Sequence, residues 1–256
     1  MKPSMLSILA FLIGACIFCT GYPVIEVVDA QSKRPRQEPK LPEGPQRPSP
    51  KKPNDPVEEL NRLVVMVKCQ IGDQESFGAG IIFGVSSNRL YIATANHVVR
   101  HELDEAQKLR VQLKWMPGEW KAAELLDNTD RDADLTVLAI DLNSQGIRVD
   151  GLRWDQLGDI SSLKSGDSVY SVGYPNGEPW RSFVTPDKVY RSSLASILFE
   201  SNFVSPGNSG GALLNNKREL VGMIRDVGKA VSIQSVVDIV SQWGYCKSPV
   251  IRTTHK

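Results

Sequence analysis

The chain has 256 residues, a formal net charge of +1, 41% hydrophobic residues and 23% charged residues. This balance excludes a strongly basic nucleic-acid-binding protein and an acidic tail protein, and it is ordinary for a globular domain. We therefore predict no nucleic-acid partner.

The N-terminus has the pattern of an export signal. Lys2 precedes an uncharged apolar run from Met5 to Cys19, which matches the charged and apolar regions of a secretory signal. Three outcomes are open: cleavage after Ala30, lipidation of Cys16, and retention of residues 5–25 as a membrane anchor. We predict residues 1–30 to be a signal peptide or N-terminal membrane anchor, and the protein to be secreted, periplasmic or held at the cell envelope.

A linker follows the leader. Residues 31–56 contain eight prolines, seven Lys or Arg residues and no aromatic residue, so this segment cannot bury a core. Repeated X-Pro units favour extended polyproline II. We predict a disordered, semi-rigid linker over 31–58, through which the domain is tethered if the leader stays in the membrane.

The folded region is predicted over 59–246, with a tail over 247–256. Short β-rich runs broken by Gly, Asn and Asp indicate an all-β fold of two packed six-stranded antiparallel barrels. Barrel 1 is predicted at about 59–148 and barrel 2 at about 164–233, joined by a connector over 150–163. The predicted strands are 63–69, 78–83, 90–95, 111–115, 121–126 and 135–140, then 168–172, 183–190, 193–200, 211–214, 220–225 and 230–233.

A helix is predicted to end the folded region, at about 235–243. Ser235 and Asp238 have the spacing of a capping box, and Gly244 is a typical residue after a helix end. Cys69 and Cys246 lie near the two ends of the folded region. In an exported protein they are a candidate disulfide that would fix the C-terminus to the first strand.

A glycine-rich turn over 205–212 contains the candidate nucleophile, Ser209. Nucleophilic serine needs an exposed hydroxyl with backbone N–H groups converging on the oxygen that becomes charged. Gly207 can adopt the positive φ that points its N–H inward. We therefore predict the Gly207 and Ser209 N–H groups as the oxyanion donors, with an ordinary hairpin turn as the alternative.

His97 directly follows a predicted strand and is the candidate base. A structural histidine is one alternative, and a metal site with His101 is another. No Glu follows His97 in an H-E-x-x-H arrangement and no cysteine lies nearby, so we predict no metal. Asp130, Asp132 and Asp134 are the candidate acids; Asp134 adjoins the apolar run 135–140 and is predicted to be carried inward, with Asp132 as the second choice.

The order His97, Asp134, Ser209 is one in which catalytic triads occur. Over Phe77 to Val240 the chain resembles serine peptidases of the trypsin/chymotrypsin fold, and among them the HtrA/Deg branch. The motifs that carry the resemblance are Gly78-Ala79-Gly80, Thr94-Ala95-Asn96-His97-Val98-Val99, Asp132-Ala133-Asp134-Leu135-Thr136-Val137-Leu138, Val172-Gly173-Tyr174-Pro175 and Pro206-Gly207-Asn208-Ser209-Gly210-Gly211.

The resemblance implies an exported serine endopeptidase that acts on polypeptide substrates and needs no cofactor. Ser209 would attack the scissile carbonyl, His97 would accept its proton, and Asp134 would orient His97. A specificity pocket would be lined by Phe203, Val204, Met223, Ile224 and Arg225, favouring a small or aliphatic side chain before the scissile bond. We expect no PDZ domain and no trypsin-type activation site, and a catalytically silent peptide- or partner-binding domain is the alternative function.

Overall fold

The structure is a computed structural model that describes residues 62–86, 88–101, 104–149, 152, 157–175, 181–182, 185–202 and 204–245. The predicted leader, linker and tail lie outside these residues, as do residues 150, 151 and 153–156 of the predicted connector, Phe203 and Cys246.

Barrel 1 is a seven-stranded antiparallel sheet with the order β7-β6-β1-β2-β3-β9-β8. The neighbouring strands β3 and β9 pair in register from Arg89 opposite Asp141 to Ala95 opposite Leu135. Both strands are buried along nearly their whole length because they are apolar on both faces. The strands are β1 (Val64–Ile71), β2 (Gln74–Val85), β3 (Arg89–Ala95), β6 (Gln107–Gln112), β7 (Trp120–Ala122), β8 (Glu124–Asp130) and β9 (Leu135–Asp141).

Barrel 2 is a second seven-stranded sheet, with the order β11-β10-β12-β13-β16-β15-β14. A further pairing of β10 with β14 closes six of these strands into a barrel, from Val169 opposite Asn215 to Val172 opposite Ala212. The strands are β10 (Ser168–Gly173), β11 (Arg181–Ser182), β12 (Asp187–Ser192), β13 (Ser196–Phe199), β14 (Ala212–Asn215), β15 (Leu220–Asp226) and β16 (Lys229–Ser232).

Three short elements complete the described fold. A one-turn helix, α1 (Asn96–Val99), follows β3, and a small hairpin is formed by β4 (Arg100–His101) and β5 (Asp104–Glu105). A 3-10 turn lies at Ile160–Ser162. The chymotrypsin-like arrangement of two β-barrels and a terminal helix is confirmed, although only barrel 2 closes through strand pairing among the described residues.

The terminal helix, α2 (Ile233–Gln242), begins two residues earlier than predicted. Its N-cap is Ser232, whose hydroxyl accepts a hydrogen bond from the Ser235 N–H at 3.1 Å. Ser235 therefore lies in the first turn of the helix, and the predicted capping box was wrong. The helix buries Val236, Val237 and Val240, and Gly244, predicted to follow the helix end, has a positive φ of 70°.

The largest strand error concerns the predicted strand 111–115. The observed strand, β6, ends at Gln112, and residues 113–119 form a turn. Gly118 adopts a φ of 81° in this turn, and the Arg62 guanidinium lies 5.9 Å from the Trp115 ring. Alternation alone predicted a strand here, but the Pro117-Gly118 turn needs its preceding residues to leave the sheet.

No helix within the described part of the chain is long and apolar enough to span a membrane.

Candidate active site

His97 and Asp134 form a hydrogen-bonded pair at one end of barrel 1. Asp134 Oδ2 lies 2.6 Å from His97 Nδ1, and Asp134 Oδ1 accepts the His97 backbone N–H at 3.0 Å. The Asp134 side chain is 14% exposed, whereas that of His97 is 51% exposed. In the tautomer with the proton on Nδ1, that N–H donates a hydrogen bond to Asp134. Nε2 then keeps its lone pair and can act as an acceptor.

The backbone of Asp134 explains why this carboxylate, among three in the turn, reaches the histidine. Its φ is 53°, a left-handed conformation that aspartate tolerates better than most residues. Its carbonyl accepts the Asn96 N–H at 2.8 Å, which joins the ends of β9 and β3. Asp130 instead accepts the Ala133 N–H at 2.8 Å, and Asp132 is exposed.

Arg100 fixes the short helix that carries His97, a role that the sequence did not predict. Its guanidinium donates to Asn96 Oδ1 at 3.1 Å, Thr136 Oγ1 at 2.9 Å and the Leu126 carbonyl at 3.1 Å. A salt bridge to Glu105 at 2.9 Å completes its contacts. These bonds tie α1 to β8 and β9. No pattern in the sequence marks Arg100, because its acceptors are up to 36 residues away.

The nucleophile loop, residues 205–211, has the backbone that its glycines predict. Gly207 has a φ of 99° and Gly210 a φ of 85°. The Gly210 N–H donates to the Ile224 carbonyl and the Gly211 N–H to the Asn208 carbonyl. Among the residues that the structure describes, neither the Gly207 N–H nor the Ser209 N–H donates to a protein acceptor. The oxyanion role of these two N–H groups stays a prediction.

Barrel 1 holds the nucleophile loop through β2. The Ala79 N–H donates to the Ser209 carbonyl at 2.8 Å, and Thr94 Oγ1 donates to the Ala79 carbonyl at 2.7 Å. A Cβ at Gly210 would collide with the Ala79 carbonyl and lie 2.6 Å from Thr94 Oγ1. Gly78 fits as closely, since a Cβ there would lie 2.6 Å from Val98 Cγ1 and 3.1 Å from the Ser209 carbonyl oxygen.

Ser209 and His97 therefore lie at the same junction, on opposite barrels. Val98, next to His97, and the Ser209 carbonyl flank the single residue Gly78. Within the described contacts, the Ser209 hydroxyl and the His97 ring are not hydrogen-bonded to each other. Catalytic hydrogen bonds are often long in unliganded enzymes and shorten when substrate binds.

The other side of the loop packs against β10. A Cβ at Gly173 would lie 2.6 Å from Asn208 Oδ1, and a Cβ at Gly211 would collide with the Val172 carbonyl. Gly173 and Gly211 belong to different sequence motifs, and both are required by the close contact between β10 and the nucleophile loop. This close approach places the loop at the end of barrel 2 that faces His97.

The predicted specificity pocket is only partly described. Met223 and Ile224 are completely buried in barrel 2, and Val204 is half-buried against its core. Phe203 lies outside the described residues. Arg225 is half-buried, and its guanidinium donates to the Asp132 carbonyl at 2.8 Å. The pocket and its preference for small or aliphatic side chains stay a prediction.

Cys69 is buried, and among the described residues it has no disulfide partner. Its Sγ donates to the Val98 carbonyl at 3.3 Å. Burial raises its pKa to about 11, against a smaller opposite effect of the Ser76 hydroxyl. Its predicted partner, Cys246, lies outside the described residues, so the disulfide stays a prediction.

Two antiparallel β-barrels, with a His–Asp pair on the first and a glycine-flanked serine on the second, define the chymotrypsin-like class of folds. A family model described as a trypsin-like peptidase domain matches residues 78–223, more than half of the chain. The chain belongs to this family.

Curated relatives carry related names. "Serine protease Do-like HtrB" of Bacillus subtilis is 29% identical over 224 residues, which covers 73% of this chain and 46% of the relative. "Serine protease Do-like HtrA" of the same species is 31% identical over 57% of this chain and 32% of the relative. "Periplasmic pH-dependent serine endoprotease DegQ" of Escherichia coli is 29% identical, covering 58% and 31%. The chain thus spans less than half the length of these relatives.

Solved structures support the fold. A serine endoprotease from Yersinia pestis superposes with a TM-score of 0.55 at 23% identity, covering 73% of this chain and 64% of that one. The HtrA-type protease AlgW, solved with a tripeptide, gives a TM-score of 0.56 at 22% identity, covering 73% and 62%.

Proposed function

We propose that the protein is an exported serine endopeptidase that hydrolyses polypeptides through Ser209, His97 and Asp134. The observation that carries the proposal is the double contact of Asp134 with His97, through Nδ1 at 2.6 Å and the backbone N–H at 3.0 Å. This contact favours the tautomer in which Nε2 is a base. A histidine with a merely structural role would not need its ring half exposed beside the nucleophile loop.

The proposed reaction has two halves. His97 Nε2 accepts the Ser209 proton while Ser209 Oγ bonds to the scissile carbonyl carbon, and the same proton then passes to the leaving amine as the C–N bond breaks. In the second half, His97 takes a proton from a water molecule whose oxygen bonds to the acyl carbon. The bond from this carbon to Ser209 Oγ then breaks, His97 returns the proton to Ser209 Oγ, and the new carboxyl terminus leaves. Asp134 stabilises the imidazolium in both halves.

The Gly207 and Ser209 N–H groups would bind the oxyanion that forms in each half. Both are free of protein acceptors within the described residues. The positive φ of Gly207 supports this orientation of the loop. Losing one such donor costs roughly 3–4 kcal/mol of transition-state stabilisation in serine proteases.

The N-terminal sequence and the names of relatives support export and the substrate class. The apolar run from Met5 to Cys19 predicts export, and the Escherichia coli relative is named a periplasmic endoprotease. We propose that this protein also acts in the cell envelope or outside the cell on polypeptides. The proposal includes three alternative fates for residues 1–30: cleavage after Ala30, lipidation of Cys16, and retention as a membrane anchor.

The test is covalent labelling of the full-length protein with a fluorophosphonate, beside a Ser209→Ala control. We expect the wild type to be labelled and the control to remain unlabelled. Asp134→Asn should reduce the labelling rate and the turnover number by a factor on the order of 10⁴, because the histidine then loses its tautomeric preference. Folded wild-type protein without any label would contradict the proposal and favour the catalytically silent binding domain.

A further inference from the structure

We propose that Arg225 is a positioning residue that holds the acid and the nucleophile in register across the two barrels; this rests on the proposed function. Arg225 belongs to β15 of barrel 2 and is half-buried. Its Nη1 donates to the Asp132 carbonyl of barrel 1 at 2.8 Å. A charge-assisted bond of this kind is stronger than one between neutral groups.

The acceptor lies in the turn that carries Asp134. Asp132 precedes Asp134 by two residues, and the Asp134 N–H closes the turn by donating to the Arg131 carbonyl at 3.3 Å. Asp134 has a positive φ of 53°, a conformation that neighbouring contacts must maintain. Holding the Asp132 carbonyl restricts the rotation of this turn, and with it the aim of the Asp134 carboxylate at His97.

The donor is attached to the nucleophile loop. Ile224, the residue before Arg225, accepts from the Gly210 N–H at 2.7 Å and donates to the Gly211 carbonyl at 2.7 Å. The two backbone hydrogen bonds of Ile224 thus connect the nucleophile loop to β15. The next residue, Arg225, connects β15 to the Asp134 turn through its side-chain hydrogen bond. Reacting groups that sit on different barrels need such a link, since an error of 1 Å can reduce the rate by about 10²-fold.

Arg225 also borders a cavity of about 400 Å³ between the Asp134 turn, barrel 2 and α2. Lys229 lines the same cavity and is exposed. The sequence predicted a substrate-binding role for Arg225, whereas its observed hydrogen bond goes to the protein backbone. The cavity gives access to the space that the guanidinium occupies, so a free guanidinium ion can replace it when the side chain is truncated.

The experiment compares full-length Arg225→Ala with Lys229→Ala, which removes a second cation from the same cavity. Two rates are measured: fluorophosphonate labelling of Ser209, and cleavage of a peptide substrate. We expect Arg225→Ala to lower the labelling rate and kcat by about tenfold, as for a modest misplacement of the triad, with KM changed less than twofold. Millimolar guanidinium should raise both rates of Arg225→Ala several-fold. Lys229→Ala should keep the wild-type rates.

A raised KM with unchanged kcat and labelling would overturn the proposal and assign Arg225 to substrate binding. Unchanged kinetics in all respects would also overturn it. If Arg225→Ala does not fold, Arg225→Lys provides the test. Lysine keeps the charge and the aliphatic stem but is too short to reach the Asp132 carbonyl, so this variant should be labelled more slowly than the wild type. Labelling at the wild-type rate would contradict the proposed bond. Failure of the wild type to label would instead refute the proposed peptidase function.

Discussion

Single glycines in the nucleophile loop are required by contacts as well as by backbone conformation. Gly210 combines a φ of 85° with a neighbouring carbonyl, that of Ala79, where a Cβ would have to fit. Gly118 has nearly the same φ, 81°, and nothing within 4 Å of its ideal Cβ. A side chain at Gly118 would therefore meet conformational strain alone, whereas a side chain at Gly210 would meet both conformational strain and a steric clash.

We expect Gly118→Ala to cost about 1–2 kcal/mol of unfolding free energy, the cost of the left-handed backbone alone. Gly210→Ala should cost a further ~1–3 kcal/mol from overpacking and should abolish fluorophosphonate labelling, because the loop must move away from β2. Chemical denaturation and labelling of both variants provide the measurement. Equal stabilities with retained labelling would mean that the loop relaxes without disturbing Ser209.

Cys69 provides a pH-dependent prediction. Its folded-state pKa of about 11 lies above the ordinary value of 9.0, so the unfolded chain loses the thiol proton first. The thiol therefore contributes stability that is present below pH 9 and is lost as the pH rises towards about 11. Unfolding free energies measured across this range should fall more steeply for the wild type than for Cys69→Ala. Parallel curves would contradict the buried neutral thiol.

The same residue tests the predicted disulfide. A protonated, buried thiol should resist iodoacetamide in the native protein at about pH 8 and should react once the chain is unfolded. Without reductant, labelling of the unfolded chain at Cys69 indicates a free thiol. Labelling only after reduction would confirm a disulfide, and peptide mapping would then identify Cys246 or another partner.

At the scale of elements, the segment after α2 connects the terminal helix to barrel 1. Tyr245 stacks on Tyr91 of β3 with ring centroids 6.2 Å apart. Its hydroxyl accepts the Asn128 N–H at 3.2 Å and contacts Asn128 Oδ1 in β8. The helix itself packs on β15 and β16 of barrel 2 through Val236, Val237 and Val240. α2 and Tyr245 together thus bridge the two barrels.

We expect Tyr245→Ala to lower the unfolding free energy by about 1–3 kcal/mol, since it removes an aromatic pair and leaves Asn128 without these bonds. Tyr190→Ala is the matched control, because Tyr190 is 63% exposed and its loss should change stability by no more than about 0.5 kcal/mol. Thermal denaturation of both variants is the measurement. Equal effects would contradict a bridging role for Tyr245.

At the scale of the whole molecule, the candidate site exists only where the barrels meet. His97 and Asp134 come from barrel 1, Ser209 from barrel 2, and the contacts between them involve Ala79 and Arg225. Neither barrel alone contains the constellation. If the proposed triad operates, a change in the packing of the barrels alters reactivity without any substitution of His97, Asp134 or Ser209.

Export is a property of the whole chain that can be tested without the site. Leu12→Arg introduces a charge into the apolar run at a cost of roughly 3 kcal/mol for membrane insertion, and we expect the protein to stay inside a bacterial host. Ser32→Arg adds the same charge in the linker and should leave export unchanged. Cell fractionation and the intact mass of the exported protein check both, and the mass distinguishes cleavage after Ala30 from lipidation or retention. Equal export of both variants would contradict the predicted signal.

The sequence by itself determined the two sets of strands and the candidate residues His97, Asp134 and Ser209. Alternating and apolar runs encode strands because side chains alternate between the faces of a sheet. Glycines encode the nucleophile loop because only they adopt its conformations without strain. These signals are local, so a linear reading detects them.

Only the tertiary structure decided how these residues meet. It showed that Asp134, and neither neighbouring aspartate, contacts His97, that Arg225 reaches the Asp132 carbonyl, and that Ser232 caps α2. Arg225 and its acceptor are 93 residues apart. Contacts of this kind depend on how two curved sheets pack and on which rotamer reaches across the gap, and no periodicity along the chain records either.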